Sequence, residues 1–260
     1  MTTQDTPQIL LAHHLKALRL PVFASEWDKT AAQCATDKAD YPTFLLRLAE
    51  LELLERERKG TERRIKAARF PGLKTLDEFD FTAAPSLNKK QILELGRCEW
   101  IERRENLILL GNPGVGKTHL AIALGMAACQ RGHGVRMFTA AGLVNALVEA
   151  RNEKALLRLQ GKLARLPLLI LDELGYIPLS KTGAELLFEV ISQRYERGSV
   201  IVTSNLPFEE WTSVFGCERL TGALLDRLTH RVAILPVEGE SYRLAQSRGR
   251  RKTTRKKEDS

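Results

Sequence analysis

One glycine-rich stretch has the residue types and spacing that suit phosphate binding. It reads GNPGVGKT from Gly111 to Thr118 and matches the pattern G-x-x-x-x-G-K-[ST] in full. Glycines let the backbone turn tightly and approach an anion, so that its N–H groups point inward as a nest. In this pattern the lysine contacts the β- and γ-phosphates of a nucleotide, and the hydroxyl after it ligates Mg²⁺. The predicted binding residues are Gly111, Asn112, Pro113, Gly114, Val115, Gly116, Lys117, Thr118 and His119.

The flanking residues favour this interpretation over a glycine-rich turn that binds nothing. An apolar run of strand length, residues 107–110, precedes the loop, and a helical pattern, Thr118–Arg131, follows it. A helix that starts at the loop adds its positive dipole end and its unpaired N–H groups to the same anion site. The strand–loop–helix context therefore predicts that the loop binds ATP with Mg²⁺.

Two adjacent acids, Asp172 and Glu173, follow the apolar run at residues 168–171. Ligands of parallel sheets bind at the carboxyl ends of the strands, which is where these acids would lie. Asp172 is expected to hold Mg²⁺ through water, and Glu173 is expected to polarise the water that attacks the γ-phosphate. A strand that simply ends in a polar turn is the alternative. It is less favoured because a complete phosphate loop lies about fifty residues earlier.

Two further polar residues are candidates for catalysis. Asn205 follows the apolar run 200–202, and it can orient the attacking water if that strand lies between the other two. A turn asparagine before Pro207 is the alternative. Arg227 lies off the leucine stripe of the segment ALLDRLTHR, so it could project into a neighbouring subunit. An arginine supplied in trans neutralises charge in the transition state, whereas an ordinary surface arginine is the alternative.

Strands and helices alternate along the central part of the chain. This alternation predicts an α/β fold with a parallel sheet covered on both faces. The predicted strands are Asn106–Leu110, Val135–Phe138, Leu168–Leu171, Ser199–Thr203 and Val232–Leu235. The predicted helices are Thr118–Arg131, Ala140–Ala150, Glu153–Leu166, Thr182–Tyr195 and Ala223–Thr229, with another at Lys89–Arg97 that Asn88 could cap.

The chain before residue 72 has helical periodicity only, and we predict a small helical domain over residues 1–72. Its third helix is expected to begin with Thr43 as N-cap, with an interruption at Gly60. The side expected to be buried carries Phe44, Leu45, Leu48, Leu51 and Leu54. Residues 55–69 hold seven basic and three acidic side chains, which suit either a salt-bridged helix face or a DNA phosphate contact. The candidate DNA contacts are Arg56, Arg58, Lys59, Arg63, Arg64, Lys66 and Arg69.

The composition is that of a globular protein with an anionic partner. The 260 residues carry a net charge of +8 at pH 7, of which residues 246–260 supply +5. A basic balance most often indicates nucleic acid. Four dispersed cysteines, no secretory signal and no apolar run of membrane-spanning length indicate a cytoplasmic protein without a membrane partner. We expect an ATPase domain over residues 73–245 and a basic disordered tail over 246–260.

Taken together, the phosphate loop GNPGVGKTHLA, the strand LLILDELGY and the strand VIVTSN resemble the AAA+ ATPases, including the DnaC helicase loader and the DnaA initiator. A narrower resemblance lies in LLAHHLKALRLPVFASEW, in the stretch from LRLAELELLERERKG to LKTLDEFDF, in ALLDRLTHR and in GESYRL. These segments are similar to the IstB family of ATPase helper proteins in bacterial insertion sequences.

The IstB resemblance implies an AAA+ sheet of order 5-1-4-3-2 behind a helical domain. It also implies an ATP-dependent homo-oligomer on double-stranded DNA that selects the target and stimulates a separate transposase. Lys117 and Thr118 take the Walker A positions, and Asp172 and Glu173 take the Walker B positions. Asn205 falls at sensor 1, and Arg227 falls at the arginine-finger position. Arg243 is a candidate for sensor 2.

Two other functions remain open from the sequence. A replicative helicase loader of the DnaC type would differ mainly in the N-terminal region. A metabolic P-loop kinase would need a substrate lid, and it usually lacks the acid pair that activates water. A transposase gene directly upstream, with both genes between inverted repeats, would favour the transposition helper over these two functions.

Overall fold

The computed structural model describes residues 5–239 and residue 241, so the predictions for Arg243 and for the tail 246–260 lie outside the described residues. The chain divides into two compact units, one that ends at Arg63 and one that begins at Arg64. The division falls nine residues before the predicted domain boundary at 72, because the last turns of the third helix belong to the second unit.

The first unit contains α1 (Asp5–Ala17), α2 (Pro21–Asp37) and the greater part of α3 (Tyr41–Ala68). Pro21 occupies the first turn of α2, where its missing N–H leaves no bond unmade. Glu52, although buried, is satisfied: its carboxylate accepts hydrogen bonds from the Val22 N–H and from Arg56 at 2.9 and 2.8 Å. Arg56 also donates to the Arg19 carbonyl. These bonds tie α3 to the junction between α1 and α2.

Three expectations for α3 are wrong. Its N-terminal cap is Asp40, whose carboxylate accepts the Thr43 N–H at 3.0 Å, so Thr43 lies inside the helix. The helix also continues through Gly60. A glycine costs a helix about 1 kcal/mol. The ion pair from Arg58 to Glu62 spans Gly60, and the pair from Lys59 to Glu55 lies in the turn before it; both favour the helical path.

The leucines expected on one buried side of α3 are also largely exposed. Leu48 is buried and Phe44 is partly buried, whereas Leu45, Leu51 and Leu54 are 56%, 40% and 67% exposed. A three-helix unit of this size covers only one narrow strip of its longest helix. Helical periodicity therefore identified the helix but overestimated the width of its buried face.

The second unit places a parallel sheet among helices. Its strands are β1 (Asn106–Leu110), β2 (Val135–Thr139), β3 (Leu168–Leu174), β4 (Ser199–Ser204) and β5 (Val232–Pro236). Its helices are α4 (Lys89–Leu95), α5 (Glu99–Glu102), α6 (Lys117–Gln130), α7 (Ala140–Asn152), α8 (Leu156–Ala164), α9 (Lys181–Arg194), α10 (Trp211–Phe215) and α11 (Glu218–Thr229). Asn88 caps α4, as predicted.

Every strand of the sequence prediction is present, and the order is β2-β3-β4-β1-β5 with all neighbours parallel. This confirms the expected AAA+ sheet. The helix boundaries differ from the prediction more than the strand boundaries do. α8 starts at Leu156 rather than at Glu153, since Lys154 adopts a φ of 58° that a helix does not allow. Similarly, α11 starts at Glu218 rather than at Ala223.

Two apolar layers enclose the sheet. One layer packs α6 and the segment around Phe79 and Trp100 against it, and the other packs α7, α9 and α11 against the opposite face. The middle strands β1, β3 and β4 are buried on both sides, which explains why they read as continuous apolar runs. Among the described residues, no helix is both long enough and apolar enough to span a membrane.

A buried arginine joins the amino ends of β3 and β4. The Arg194 guanidinium is 1% exposed and donates to the carbonyls of Leu163, Leu166 and Ser199 at 2.5, 3.0 and 2.7 Å. Burial lowers the pKa of Arg194 to about 10, so the group stays charged at neutral pH. The cation supplies hydrogen bonds to carbonyl groups that burial removes from water.

Replacing Arg194 should therefore destabilise the second unit. Arg194→Met fills similar space but leaves acceptors unpaired, and we expect it to lower the free energy of unfolding by at least about 2 kcal/mol. Arg197→Met, three residues on and exposed, is the matched control and should change it by less than about 0.5 kcal/mol. Urea denaturation measures both. Equal stability of the two variants would contradict the role given to Arg194.

Candidate functional site

The predicted site residues converge at the carboxyl edge of the sheet because of the strand order. β4 lies between β1 and β3, with Ser204 paired to Leu110 on one side and to Leu174 on the other. The glycine-rich loop follows β1, the acid pair closes β3, and Asn205 follows β4. The condition that the sequence left open for Asn205, a strand between the other two, is met.

The loop has the backbone geometry that phosphate binding requires. Gly114 and Gly116 have φ angles of 85° and 100°, in the left-handed region that favours glycine. α6 begins directly at Lys117, so its unpaired N–H groups and its positive dipole end face the loop. The Lys117 ammonium donates to the carbonyls of Gly111 and Asn112 at 2.6 and 2.8 Å, which holds it over the loop.

Asp172 connects the loop to the acid strand. Its carboxylate is 4% exposed, and Oδ1 accepts a hydrogen bond from the Thr118 hydroxyl at 2.9 Å. The two residues predicted to hold Mg²⁺ are thus in direct contact. Hydroxyl and carboxylate oxygens are the hard donors that Mg²⁺ prefers, and the ion commonly keeps water as its other ligands. The donor set fits the cofactor.

Sequence reasoning missed Thr203, which organises both acids. Its buried hydroxyl donates to Asp172 Oδ1 at 2.6 Å and accepts the Glu173 N–H at 2.9 Å. Glu173 has a φ of 59°, an unfavourable backbone conformation for a residue with a side chain, and its side chain is exposed. The Thr203 bond fixes that turn, so that β3 ends with one acid buried and the next at the surface.

The turn after β4 bears on the two interpretations of Asn205. Ser204 makes the turn: its hydroxyl accepts the Leu206 N–H at 3.1 Å and donates to the Leu174 carbonyl at 2.6 Å. Asn205 forms no side-chain hydrogen bond with the described residues and is partly exposed. The turn forms without the Asn205 amide, so the amide can bind water, as the predicted role requires.

His119 contacts the segment before the sheet. Its ring nitrogen lies 3.1 Å from the Thr75 carbonyl, and its ring packs edge-on against Phe79 at 5.3 Å. Phe79 also lies so close to Gly116 that a Cβ there would stand 2.9 Å from its ring. Residues 75–81 therefore form a wall beside the phosphate loop, and His119 fastens that wall to α6.

Arg227 lies at the other edge of the sheet. It lines a cavity with Asn106 and Val200, which stand at the amino ends of β1 and β4. β1 is five residues long, so about 16 Å of strand separates this edge from the loop of the same chain. Arg227 donates to the Ala223 carbonyl at 2.8 Å and stacks on Phe188 at 4.8 Å. Neither contact involves its own phosphate loop.

The candidate DNA-contacting residues of α3 differ in how far their charges are already paired. Arg58 and Lys59 pair with Glu55, and their hydrogen bonds lower the pKa of that carboxyl to about 2. Arg58 also pairs with Glu62. Arg56 is bound to Glu52, and Arg63 donates to a backbone carbonyl of its own helix.

The three remaining candidates for DNA contact, Arg64, Lys66 and Arg69, lie in the second unit. Arg64 donates to the Cys129 carbonyl at 2.7 Å, whereas Lys66 and Arg69 are exposed. Their DNA-binding role stays a prediction.

Comparison with known proteins identifies relatives over nearly the whole chain. The profile of the IstB-like ATP binding protein family matches residues 13–250. A relative from Geobacillus stearothermophilus, named for insertion sequence IS5376 and for ATP binding, is 43% identical over 89% of this chain and 92% of its own length. A Pseudomonas aeruginosa relative, named for insertion sequence IS21 and for ATP binding, is 42% identical over 90% of this chain and 88% of its own.

Solved structures share the fold. The DnaC helicase loader matches with a TM-score of 0.51 and 22% identity over 68% of this chain and 99% of its own. DnaA from Aquifex aeolicus, bound to AMPPCP, matches with a TM-score of 0.53 and 21% identity over 65% of this chain and 51% of its own. These similarities support the sheet order and the AAA+ architecture of the second unit.

The contacts of Thr203 lead to a prediction for stability. Thr203→Val keeps the shape of the side chain but removes the hydroxyl that serves Asp172 and Glu173. We expect the free energy of unfolding to fall by about 1–3 kcal/mol, as measured by urea denaturation. Thr203→Ser retains the hydroxyl and is the control, with a smaller loss. A valine variant as stable as wild type would show that these hydrogen bonds make no net contribution to the free energy of unfolding.

Proposed function

The chain belongs to the family of IstB-like ATP-binding proteins, and on that basis we propose that it is a cytoplasmic ATPase that helps an insertion sequence to transpose. It assembles with ATP as a homo-oligomer on duplex DNA, takes part in target selection and stimulates a separate transposase. The observation that carries the ATPase activity is the hydrogen bond from Thr118 to Asp172, because it joins the phosphate loop to the strand that bears the acids.

Each site residue has a defined task in this proposal. Lys117 and the first N–H groups of α6 hold the β- and γ-phosphates. Mg²⁺, when bound through Thr118 and Asp172, supplies positive charge to the phosphate oxygens. Glu173 polarises the attacking water and Asn205 orients it, since both stand at the ends of strands beside the loop. Phosphoryl transfer needs little else from the protein than positioning and charge.

Arg227 completes the site of a neighbouring subunit in this proposal. The cavity that it lines stands at the amino ends of β1 and β4, a strand length from its own phosphate loop, so we assign its charge to a nucleotide bound by a neighbouring subunit. Hydrolysis then requires assembly, because a transition state without this cation is poorly stabilised. The cavity beside Arg227 keeps the guanidinium partly exposed.

The helicase-loader and kinase alternatives receive less support. The relatives named for insertion sequences cover about nine-tenths of the chain, including its N-terminal region, whereas the DnaC loader shares only the fold at 22% identity. The kinase alternative does not account for Asp172 and Glu173 side by side at the end of β3. Finding the gene beside a transposase gene, between inverted repeats, would favour the transposition helper.

The nucleotide site can be tested with two substitutions. Lys117→Ala should lose ATP binding, because the cation over the loop is removed. Glu173→Gln should keep binding and lose at least about a hundredfold in turnover, because only the activation of water is lost. A fluorescent nucleotide measures binding, and released phosphate measures turnover. Normal hydrolysis by Glu173→Gln would remove Glu173 from its proposed role.

The role of Arg227 can be tested by mixing variants. Arg227→Ala subunits should bind ATP but hydrolyse it poorly. Adding Lys117→Ala subunits should restore part of the activity, since they supply Arg227 to an intact neighbouring loop. The double variant Lys117→Ala, Arg227→Ala is the matched control and should restore nothing. Absence of rescue in mixtures that co-assemble would mean that Arg227 does not act in trans.

A further inference from the structure

The surface of α8 carries a stripe of basic side chains with no carboxylate partner among the described residues. The side chains of Arg158, Lys162 and Arg165 are all exposed and form no ion pair with the described residues. The first two lie in α8 and Arg165 is its C-terminal cap, and the spacing of four and three residues places all three on one face. We call these three residues the α8 stripe. We infer that it contacts the phosphate backbone of duplex DNA, an inference that rests on the function proposed above.

The opposite face of α8 holds the stripe in place. Gln160 and Leu163 are buried there, and the Gln160 amide donates to the Glu189 carboxylate of α9 at 2.9 Å. The Leu163 carbonyl accepts a hydrogen bond from the buried Arg194. The helix is thus fixed by polar bonds at two of its turns, and the three cations are presented on a rigid element. Binding of these cations to an anion therefore requires little additional ordering of the backbone.

No acid offsets the stripe within its own segment. From Lys154 to Leu171 the chain contains no aspartate or glutamate, whereas the segment 55–69 contains three glutamates. The contrast is physical as well as compositional, because Arg58 and Lys59 are already paired with Glu55. A phosphate that approaches Arg58 or Lys59 must compete with these carboxylates, whereas Arg158, Lys162 and Arg165 form no ion pair with the described residues.

Stabilisation of the helix itself does not explain the stripe. Cations are favourable at a helix C-terminus, which would account for Lys162 and Arg165. Arg158 lies in the first turn of α8, where the helix dipole disfavours a positive charge. Three like charges on one face also repel each other unless an anion lies between them. A polyanion such as duplex DNA relieves both costs.

The test compares two variants that remove the same charge from different helices. The first is Arg158→Gln, Lys162→Gln, Arg165→Gln, in which glutamine keeps the helix propensity and most of the side-chain length. The second removes three cations of the surface predicted from the sequence, as Arg58→Gln, Lys59→Gln, Arg63→Gln. Both are assayed as the full-length protein, with thermal melting and fluorescent-nucleotide binding as measures of folding and of the intact nucleotide site.

DNA binding is measured by fluorescence anisotropy with a labelled duplex of arbitrary sequence, with a non-hydrolysable ATP analogue and over a series of salt concentrations. The α8 variant should bind at least tenfold more weakly at low salt, and its salt dependence should be flatter, because each lost phosphate contact removes about one unit of slope. The α3 variant should lose much less, since Arg58 and Lys59 are already paired with carboxylates and Arg63 donates to a backbone carbonyl. Both variants should bind nucleotide like wild type.

The outcomes separate failure of this inference from failure of the proposed function. Wild-type protein that binds the nucleotide but no duplex DNA would overturn the proposed function and the α8 assignment with it. If wild type binds DNA, an α8 variant with unchanged affinity and slope overturns the assignment alone. An α8 variant that binds DNA normally but no longer stimulates strand transfer assigns the stripe to a protein partner, which also overturns it.

Discussion

The carboxylate of Asp172 is buried at the edge of the sheet, where an unpaired negative charge would be costly. Two hydroxyl groups make its burial acceptable: Thr118 donates from α6 and Thr203 donates from β4. Because these donors come from different elements, the carboxylate holds the phosphate loop and two strands in one arrangement. Thr203 also binds the Glu173 N–H, so the surface acid is positioned from the same point. Hydrogen bonds within the protein therefore organise the site.

The two edges of the sheet are organised by different polar groups. At the carboxyl edge, hydroxyls surround a buried acid. At the amino edge, the Arg194 guanidinium satisfies carbonyls at the start of β3 and β4. Arg227 also lies at the amino edge, on the side away from its own loop. One chain thus carries the binding half of a nucleotide site at one edge and, in the proposed function, the completing cation for a neighbour at the other.

The number of basic residues in a segment does not by itself tell how much of its charge is unpaired. The segment 55–69 is the more basic by residue count, but its glutamates hold Arg58 and Lys59 in ion pairs that depress the pKa of Glu55 to about 2. The α8 stripe has fewer cations and no acid among them. Phosphate binding depends on the charge that remains unpaired, and pairing depends on where helical spacing places the acids.

Sequence patterns predicted the strands, their parallel arrangement and the residues of the loop and the acid pair. These features follow from apolar runs, glycine positions and motif spacing, which are properties of short segments. Tertiary structure alone decided which residues organise the site. Thr203 resembles any threonine at the end of a strand until β4 lies beside β3, and Arg194 resembles any helix arginine until the helix packs over two strand ends. The exposure of Leu45 and Leu54 on α3 is likewise set by how little surface the other helices of its unit can cover. Burial and hydrogen bonding between distant segments are properties of packing, which local periodicity does not contain.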